Sequence, residues 1–362
     1  MSLDERWIRR ALELAWRGRY TTSPNPMVGA CVVRSGRLAG EGYHRAFGAD
    51  HAEVEAIKKA GRRAQGATLY VTLEPCSTWG KTPPCVGDIL KAGIRRVVVG
   101  ALDPNPKNYG RGIKAMRREG VEVKSGVLAE EVKKQNESFF KRVKTGLPFV
   151  TLKMAQSLDG KIAAVTGKSR WISSKPARRF VHELRAGQDA IMVGRNTFLR
   201  DNPLLSPRIL SGKLRPGRPW RIAIARAADL SKRARIFKGP QLTLIALAEK
   251  ELGRLKKSKT GGIYLGIPEK KGQIDLRILL ERLASLGVGK LLAEGGGELA
   301  WSLLSAKLVD RIYWIVAPKI LGGRGAKSSV EGEGVPDPSR AFVPKSLTVS
   351  PLGEDWLFEG NF

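Results

Sequence analysis

The feature that most limits what this chain can fold into is the stretch from His51 to Cys85. His51 stands at the start of a predicted helix, and a predicted strand, residues 67–73, follows that helix. The strand leads into Cys76, and eight residues separate Cys76 from Cys85, which stands at the start of a second predicted helix. One imidazole and two thiolates can bind Zn²⁺ and leave its fourth position open for water. The stretch therefore predicts a zinc site with His51, Cys76 and Cys85 as its ligands.

Glu53 lies two residues after His51 and can face the same ion without binding it. Zinc lowers the pKa of a bound water to about 7, and a carboxylate nearby can carry protons during its attack. Taken singly, such a His is more often a cap or a surface residue, and such a Cys is more often a small buried hydrophobe. The ordered combination of H-x-E, strand and P-C is instead typical of zinc nucleobase deaminases. We therefore predict Glu53 as the catalytic acid and base.

The length and composition of the chain predict two globular domains. A chain of 362 residues is long enough for two separate cores. It contains no apolar run near the ~18 residues that a membrane-spanning helix needs, and its first residues do not resemble a signal peptide. Three cysteines are few and odd in number, as is typical of a reducing compartment. We therefore expect a cytoplasmic protein with no membrane partner, and Cys31 as a core residue.

The net charge of +30 is the unusual feature of the composition. Such a charge indicates either a nucleic-acid partner or a basic surface that suits small phosphorylated molecules. The basic residues of 206–260 stand among Gly, Pro and Leu, without the interleaved aromatic residues of a single-strand binding groove. We therefore favour a phosphorylated small substrate and expect no nucleic-acid partner.

Predicted strands alternate with predicted helices along the chain, which indicates an α/β fold. The segment from Lys144 to Pro148 has the composition of a linker. We therefore place one domain at residues 1–145 and a second at residues 146–362. Near the end of the first domain the pattern predicts one continuous helix, from Leu128 to Lys141.

Two loops in the second half point to a nucleotide. Glu294-Gly295-Gly296-Gly297 follows a predicted strand and precedes a predicted helix. Glycines let the backbone approach a ligand closely, and a helix N-terminus offers free N–H groups to phosphate. A plain turn is as good an interpretation of this loop alone, but Gly194 to Thr197 also follows a buried strand. Two such loops at strand ends favour nucleotide binding.

Taken together, the motifs resemble one family, the bifunctional deaminase–reductase of riboflavin biosynthesis. The eight-residue gap between the cysteines is a specific mark of it, since transfer-RNA and cytidine deaminases usually have two residues there. In the first half the resemblance rests on Pro24 to Gly29, Gly42 to His44, His51 to Glu53, Leu73 to Ser77, Gly80 to Cys85 and Asp103 to Pro106. In the second half it rests on Lys153 to Ala155, Ser157 to Lys161, Trp171 to Ser173, Asp189 to Gly194, Asp201 to Pro203, Glu294 to Gly296 and Pro318 to Gly323.

The resemblance implies a cytidine-deaminase-like, three-layer α/β/α domain at the N-terminus and a dihydrofolate-reductase-like α/β domain at the C-terminus. It implies two consecutive reactions on a phosphorylated pyrimidine. The first is zinc-dependent deamination of 2,5-diamino-6-(5-phosphoribosylamino)pyrimidin-4-one, and the second is reduction of the ribosyl side chain to ribityl by NADPH. It also implies Zn²⁺ and NADPH as cofactors, and we expect a homo-oligomer.

The resemblance also implies roles for individual residues. Asn25, His44 and Lys81 would hold the substrate of the deaminase. The residues that would contact NADPH are Ala155, Trp171, Thr197, Asp201, Gly296, Gly297, Glu298, Leu299, Ala300, Trp301 and Ser302. The residues that would contact the substrate of the reductase are Lys153, Ser169, Arg185, Leu204, Arg208 and Glu294. Arg185 and Arg208 suit a phosphate because a guanidinium fork matches its oxygens.

The sequence departs from the family pattern at two places. Thr78 and Trp79 stand where the family usually has two His, which removes one expected substrate contact but no zinc ligand. Arg226 follows Ala225 where the family usually has an Asp-Ser pair that touches the cofactor. A cationic side chain there can meet the 2′-phosphate of NADPH, so we add Arg226 to the predicted cofactor contacts.

Two other interpretations compete with this one. The charge of +30 is compatible with a zinc-dependent nucleic-acid base deaminase that has a basic RNA-binding surface. The long gap between the cysteines and the second domain argue against it. A non-enzymatic RNA-binding protein with a vestigial zinc fold is the other alternative, and the intact Glu53 argues against that.

Overall fold

The structure, a computed structural model, describes residues 1–80, 82–207, 219–255 and 261–362. The chain divides into two compact units, Met1–Leu147 and Pro148–Phe362. Within the described residues, no helix combines the length and the hydropathy needed to cross a bilayer.

The first unit is a five-stranded sheet with helices on both faces. The strand order is β2-β1-β3-β4-β5, with β1 antiparallel to its two neighbours and β3, β4 and β5 parallel. Its elements are α1 Leu3–Trp16, β1 Gly29–Arg34, β2 Arg37–Tyr43, α2 Ala52–Ala60, β3 Thr68–Leu73, α3 Cys85–Lys91, β4 Arg96–Ala101, α4 Arg111–Arg118, β5 Glu122–Ser125, α5 Ala129–Gln135 and α6 Glu137–Thr145, with a 3₁₀ turn at Gly61–Ala64.

The two faces of this sheet have separate apolar cores because successive side chains of a strand point to opposite sides. Ala30 and Val32 of β1 pack in the cluster that contains α2, α3 and α4. Cys31 and Val33 of the same strand pack in the cluster that contains α1. Cys31 is fully buried, which confirms its predicted place in the core.

Helix α2 lies very close to strand β2. A Cβ atom added to Gly42 would lie 2.6 Å from the Ala52 carbonyl oxygen and 2.7 Å from Ala56 N, so only glycine fits there. This close approach brings the start of α2, and His51 with it, onto the sheet.

The predicted helix from Leu128 to Lys141 is wrong in one respect, since it is two helices, α5 and α6, that meet at Asn136. Asn136 has φ −112° and ψ 22°, outside the helical region. Its buried side chain accepts a hydrogen bond from Met27 N at 2.8 Å and donates one to Met27 O at 2.9 Å. The helix therefore breaks where a side chain binds the backbone of a distant segment.

The second unit is built on a nine-stranded sheet of order β10-β9-β8-β7-β13-β6-β14-β16-β15. The strands from β10 to β14 in this order are parallel, and β16 and β15 are antiparallel additions at one edge. The elements are β6 Phe149–Ser157, α7 Lys175–Ala186, β7 Ala190–Val193, α8 Arg195–Asp201, β8 Trp220–Ile224, β9 Thr243–Ala248, α9 Glu249–Leu252, β10 Ile263–Ile267, β11 Glu269–Lys270, β12 Gln273–Ile274, α10 Leu276–Ser285, β13 Lys290–Glu294, α11 Gly297–Ser305, β14 Arg311–Ala317, β15 Ser346–Leu352 and β16 Asp355–Asn361.

Strand β13 lies between β6 and β7, so the strand order reverses at this point. Open parallel sheets bind ligands in the crevice outside the carboxyl ends of their strands at such a reversal. The strands β6, β7, β8 and β13 all end at the same edge, which makes that edge the expected place for a ligand.

Candidate functional site

The three predicted zinc ligands of the first unit come together. His51 is the N-cap residue of α2, Cys76 follows β3, and Cys85 is the first residue of α3. One possible ligand atom from each residue lies within 4.8 Å of the other two. His51 Nδ1 is 3.1 Å from Cys85 Sγ and 3.6 Å from Cys76 Sγ. Two sulfurs and one ring nitrogen at the corners of a small triangle are a donor set that suits zinc and leaves a fourth position open.

The electrostatics of the triangle also fit a cation. A hydrogen bond from the Cys85 thiol, and then the neighbouring His51, lower the pKa of Cys76 to about 4. The same thiol hydrogen bond and burial raise the pKa of Cys85. The hydrogen bond to Cys76 raises the pKa of His51 to about 9. The lowered pKa favours the thiolate form of Cys76, and Cys85 N also donates to its sulfur at 3.3 Å.

Glu53 lies in the first turn of α2 and is 3% exposed. Burial is the main reason that its pKa is raised. Its Oε2 atom has no hydrogen-bond partner among the described residues. A buried carboxylate oxygen normally has a partner, so this atom fits a water or substrate proton in the space beside the sulfur–imidazole triangle.

His44 lies next to His51, and Asn25 lies next to His44. The His44 and His51 rings are 5.3 Å apart in an edge-to-face arrangement. His44 Nδ1 lies 3.1 Å from the Asp50 carbonyl oxygen, and His44 Nε2 lies 3.2 Å from Asn25 Nδ2. A carbonyl can only accept, so Nδ1 donates and Nε2 accepts, and burial lowers the pKa of His44. His44 is therefore a neutral ring that fixes the orientation of the Asn25 amide.

Thr82 is a contact that the sequence did not single out by itself. Its Oγ1 lies 3.4 Å from His51 Nε2, the ring nitrogen that faces away from the sulfurs. Such partners orient a metal-binding imidazole. In the sequence, only its place in the motif that ends at Cys85 indicated that Thr82 lies near the zinc site. Lys81, the third predicted substrate contact of the deaminase, lies outside the described residues.

A buried polar network supports the loop that carries Cys76. Ser77 N and Ser77 Oγ donate to Asn108 Oδ1 at 2.7 and 2.9 Å, and Asn108 Nδ2 donates to Asp103 Oδ2 at 3.0 Å. Glu74 is 4% exposed and accepts backbone N–H bonds from Gly110 and Gly112 at 3.0 and 3.1 Å. The network holds the metal-binding loop against the start of α4. The motif Asp103 to Pro106 signalled it, although no role for it was predicted.

The second unit contains a cavity of about 1570 Å³ at the carboxyl ends of its parallel strands. Most of the predicted reductase residues line it, namely Lys153, Ala155, Ser169, Trp171, Arg185, Thr197, Asp201, Leu204, Arg226, Glu294, Gly296, Gly297, Glu298, Leu299 and Ser302. Ala300 is fully buried, and the Trp301 ring packs against Phe342 at 5.8 Å, so neither lines the cavity. Arg208 lies outside the described residues.

An ion pair lies in the wall of this cavity. Arg185 Nε and Nη2 donate to the two oxygens of Glu294 at 2.6 and 2.7 Å. The side chains are 17% and 10% exposed. Burial is the largest single influence and opposes the charge on Glu294, but Arg185, Lys153 and His182 together outweigh it, so the pKa of Glu294 is lowered. The pKa of the neighbouring Lys153 is lowered, mainly by burial. Arg185 therefore directs two of its donors at Glu294, which leaves fewer for a substrate phosphate than the sequence led us to expect.

The glycine loop after β13 approaches α8. Gly296 has φ +81°, a region that favours glycine, and a Cβ atom there would lie 3.1 Å from Thr197 Oγ1. The loop and Thr197 both line the cavity. The two loops that the sequence singled out as nucleotide-binding are therefore neighbours in the fold.

The two halves of the chain match the profiles of two known families. The cytidine and deoxycytidylate deaminase zinc-binding region matches residues 1–101, and the RibD C-terminal domain matches residues 148–358. The chain belongs to the RibD family.

The similarity to RibD proteins extends over nearly the whole chain. The chain is 39% identical over 353 residues to the riboflavin biosynthesis protein RibD of Aquifex aeolicus, covering 98% of this chain and 97% of that one. It is 41% identical over 328 residues to RibD of Escherichia coli, covering 88% and 89%. A solved structure of Acinetobacter baumannii RibD has a TM-score of 0.88 at 35% identity and covers 99% of this chain and 98% of its own.

A solved structure from Thermotoga maritima has a TM-score of 0.85 at 35% identity and covers the same shares, 99% and 98%. That protein is described as a diaminohydroxyphosphoribosylaminopyrimidine deaminase and 5-amino-6-(5-phosphoribosylamino)uracil reductase. These matches confirm the predicted fold class, with its cytidine-deaminase-like and dihydrofolate-reductase-like parts. They also confirm the prediction of a bifunctional RibD enzyme of riboflavin biosynthesis, a hydrolase and an oxidoreductase that uses Zn²⁺ and NADPH.

Proposed function

We propose that the unit Met1–Leu147 deaminates 2,5-diamino-6-(5-phosphoribosylamino)pyrimidin-4-one and that the unit Pro148–Phe362 reduces the ribosyl side chain of the product with NADPH. The observation that carries the proposal is the meeting of His51, Cys76 and Cys85 near Glu53, whose Oε2 atom has no hydrogen-bond partner among the described residues. The cavity of the second unit, which most of the predicted NADPH and substrate residues line, supports the second reaction.

In the deamination, His51 Nδ1, Cys76 Sγ and Cys85 Sγ would hold the zinc ion. Bound zinc supplies a water acidic enough to attack at neutral pH. Glu53 Oε2 accepts a proton from the attacking water and returns it to the exocyclic nitrogen, which leaves as ammonia while the ring carbon gains an oxygen. Asn25 Nδ2 is engaged with His44, so the Asn25 carbonyl oxygen is the atom left to accept a ring N–H. Lys81 is proposed to bind the phosphate.

In the reduction, the residues around the glycine loop after β13 are proposed to bind NADPH, with Ala155, Trp171, Thr197 and Asp201. Bound NADPH supplies the hydride. Lys153 Nζ, with its lowered pKa, is suited to donate the proton that the ribose ring oxygen takes up as its bond to the anomeric carbon breaks. Glu294 and Arg185 hold one another in place beside it.

Arg226 is proposed to bind the 2′-phosphate of NADPH. Its side chain is exposed and lines the cavity just after β8. Its neighbour Asp229 is engaged by a different cation, because Arg195 Nε and Nη2 donate to the two Asp229 oxygens at 2.6 and 2.7 Å. The Arg226 guanidinium therefore keeps donors for a phosphate.

The assembly and the location of the protein are also proposals. The three cysteines are free thiols, which is typical of a reducing compartment, so we propose a cytoplasmic enzyme. Edge strand β15 is exposed along most of its length, and Leu347 and Val349 on it are 53% and 51% exposed. Exposed apolar edge strands favour pairing with a second copy, so we propose a homo-oligomer, and we propose no nucleic-acid partner.

One assay tests the function. The protein is incubated with the diaminopyrimidine ribotide, with and without NADPH, while ammonia and the NADPH absorbance are followed. We expect ammonia in both samples and NADPH oxidation only after deamination. Ammonia without NADPH oxidation would contradict the reductase half, and deamination of oligonucleotides alone would support the nucleic-acid alternative.

A further inference from the structure

Two motifs of the second unit have no role in the function proposed above. They are Ser157 to Lys161 and Pro318 to Gly323, and none of their residues, all of which the structure describes, lines the cavity. They leave neighbouring strands, since Ser157 at the end of β6 pairs with Ala317 at the end of β14. Both loops therefore start at the edge of the sheet where the cavity lies.

Asp159 ties the two loops together. Its carboxylate accepts hydrogen bonds from Leu321 N at 3.1 Å and Gly322 N at 2.7 Å, and from Ser157 Oγ at 2.5 Å. These bonds, the one from Ser157 first, lower the pKa of Asp159 to about 2. Leu158 N also donates to Lys319 O at 2.7 Å. The loop is thus fixed at Lys319 itself and at Leu321 and Gly322 just after it.

Lys319 reaches from this loop to a third segment, residues 171–174. Its Nζ donates to Trp171 O at 3.0 Å and to Ile172 O at 2.8 Å. An ammonium group has three donors and no acceptor, so backbone carbonyls are suitable partners. Trp171 and Ile172 both line the cavity, although Lys319 does not.

The rest of this segment is held in the same way, by side chains in place of a helix or strand. Arg178 Nη1 donates to Ser173 O at 2.6 Å. Asp355 Oδ2 accepts from Ser174 N at 2.8 Å and Ser174 Oγ at 2.7 Å. Irregular backbone needs such partners for its polar groups. Four consecutive residues are thereby fixed by two cations and one carboxylate.

The Trp171 side chain contacts a guanidinium group and is still largely exposed to solvent. Its residue is 64% exposed, and the Arg178 guanidinium carbon lies 4.4 Å from the ring centroid. An exposed aromatic ring costs entropy when a ligand has to order it, and fixing the ring beforehand removes that cost. Lys319 fixes the backbone of Trp171, and two guanidinium groups lie over its ring, that of Arg178 and that of Arg170 at 6.0 Å from the centroid. The residue nevertheless lines the cavity.

We propose that Lys319 is a positioning residue of the reductase, which fixes the Trp171 and Ile172 carbonyls so that the Trp171 ring is preorganised for NADPH, and that Asp159 fixes Lys319. This inference rests on the proposed function, in which Trp171 contacts NADPH. Lys319 does not touch the cofactor in this account and acts through Trp171.

The test measures reductase kinetics of Lys319→Met, Lys319→Arg, Trp171→Ala and the double variant of Lys319→Met with Trp171→Ala. Lys319→Met should raise the KM for NADPH by about tenfold, the factor that one charge-assisted hydrogen bond of ordinary strength is worth, and change kcat much less. Lys319→Arg keeps the donors and should recover most of the affinity. Lys345→Met, an exposed lysine away from the cavity, is the matched control.

The double variant decides whether Lys319 acts through Trp171. If it does, the KM of the double variant equals that of Trp171→Ala, whereas independent contributions multiply. Thermal unfolding verifies that the second unit of each variant is folded, because ammonia release reports only on the first unit. If Lys319→Met does not fold, Asp159→Asn replaces it and should raise the same KM.

The experiment distinguishes failure of the positioning role of Lys319 from failure of the cofactor role of Trp171. If Trp171→Ala raises the KM for NADPH but Lys319→Met and Asp159→Asn do not, the positioning role is wrong and the cofactor role of Trp171 stands. If Trp171→Ala leaves the KM unchanged, the cofactor role fails and the positioning role with it. Multiplying effects in the double variant would also overturn the positioning role.

Discussion

The Arg185–Glu294 ion pair allows a prediction of both stability and its pH dependence. Arg185→Met leaves the Glu294 carboxylate buried without its bidentate partner. Removing one partner of a buried pair costs about 3–5 kcal/mol. The side chains keep 17% and 10% exposure, and Lys153 offsets part of the charge, so we expect about 3 kcal/mol at neutral pH. For a domain of this size the melting temperature should fall by about 6–12 °C.

The stability that the Arg185–Glu294 pair contributes should depend on pH in a defined direction. The pKa of Glu294 in the folded protein is below its ordinary value of 4.5, so the pair contributes stability above that pH and loses it as the pH falls through the lowered pKa. In Arg185→Met, burial without the guanidinium raises the pKa of Glu294, so folded variant protein gains a proton at low pH. The difference in melting temperature between the unmodified protein and Arg185→Met should therefore be largest at neutral pH. It should become smaller below about pH 5.

The assay is thermal unfolding followed by calorimetry over a pH series. Arg179→Met is the matched control, because Arg179 lies on the same helix and pairs with Glu183 while 81% exposed. Such an exposed pair is worth at most about 1 kcal/mol. The double variant Arg185→Met with Glu294→Gln should regain part of the lost stability. The reasoning is refuted if Arg185→Met lowers the melting temperature no more than Arg179→Met does, or if the difference in melting temperature becomes larger at acid pH.

Three further predictions concern the two reactions. Glu53→Gln should lower the rate of ammonia release by roughly 10²–10⁴-fold and leave reduction of the added deaminated intermediate unchanged. Glu55→Gln, on the same helix, is the control. Equal losses of ammonia release in both variants would contradict the role of Glu53. Cys76→Ser should remove zinc, measured by metal analysis of the purified protein, along with ammonia release; retained stoichiometric zinc would exclude Cys76 as a ligand. Arg226→Ala should raise the KM for NADPH about tenfold or more and change the KM for NADH little. Arg233→Ala, at an exposed position, should change neither KM. Equal effects of Arg226→Ala on the two KM values would rule out the 2′-phosphate contact.

The parts of the fold and of the zinc site that sequence patterns can predict are those set by short-range order. His51, Cys76 and Cys85 each stand at the end of an element, and the ends of adjacent parallel elements meet at one edge. The spacing of helix, strand and helix therefore indicated the metal triangle. The apolar run that ends at Val33 likewise predicted a strand, and the fold buries Ala30 and Cys31 of this strand in cores on opposite faces of the sheet.

Features that depend on distant partners could not be predicted in this way. The break at Asn136 arises from hydrogen bonds to Met27, 109 residues away along the chain. Arg185 and Glu294 are also 109 residues apart, and no local pattern pairs a helix residue with the end of a later strand. A lone polar residue in a helical pattern has no visible partner in sequence, so its effect on the backbone appears only in the fold.

The position of β13 between β6 and β7 has a consequence for synthesis on the ribosome. Strand β6 is flanked by β13 and β14, which begin at Lys290 and Arg311. At 5–20 residues per second, β6 leaves the ribosome on the order of 10 s before either neighbour exists. The nascent reductase unit therefore carries an unpaired apolar strand for most of its translation, whereas the sheet of the first unit is complete by Ser125. Chaperone binding to this half of the nascent chain is the expected result, and it would end when β13 enters the sheet.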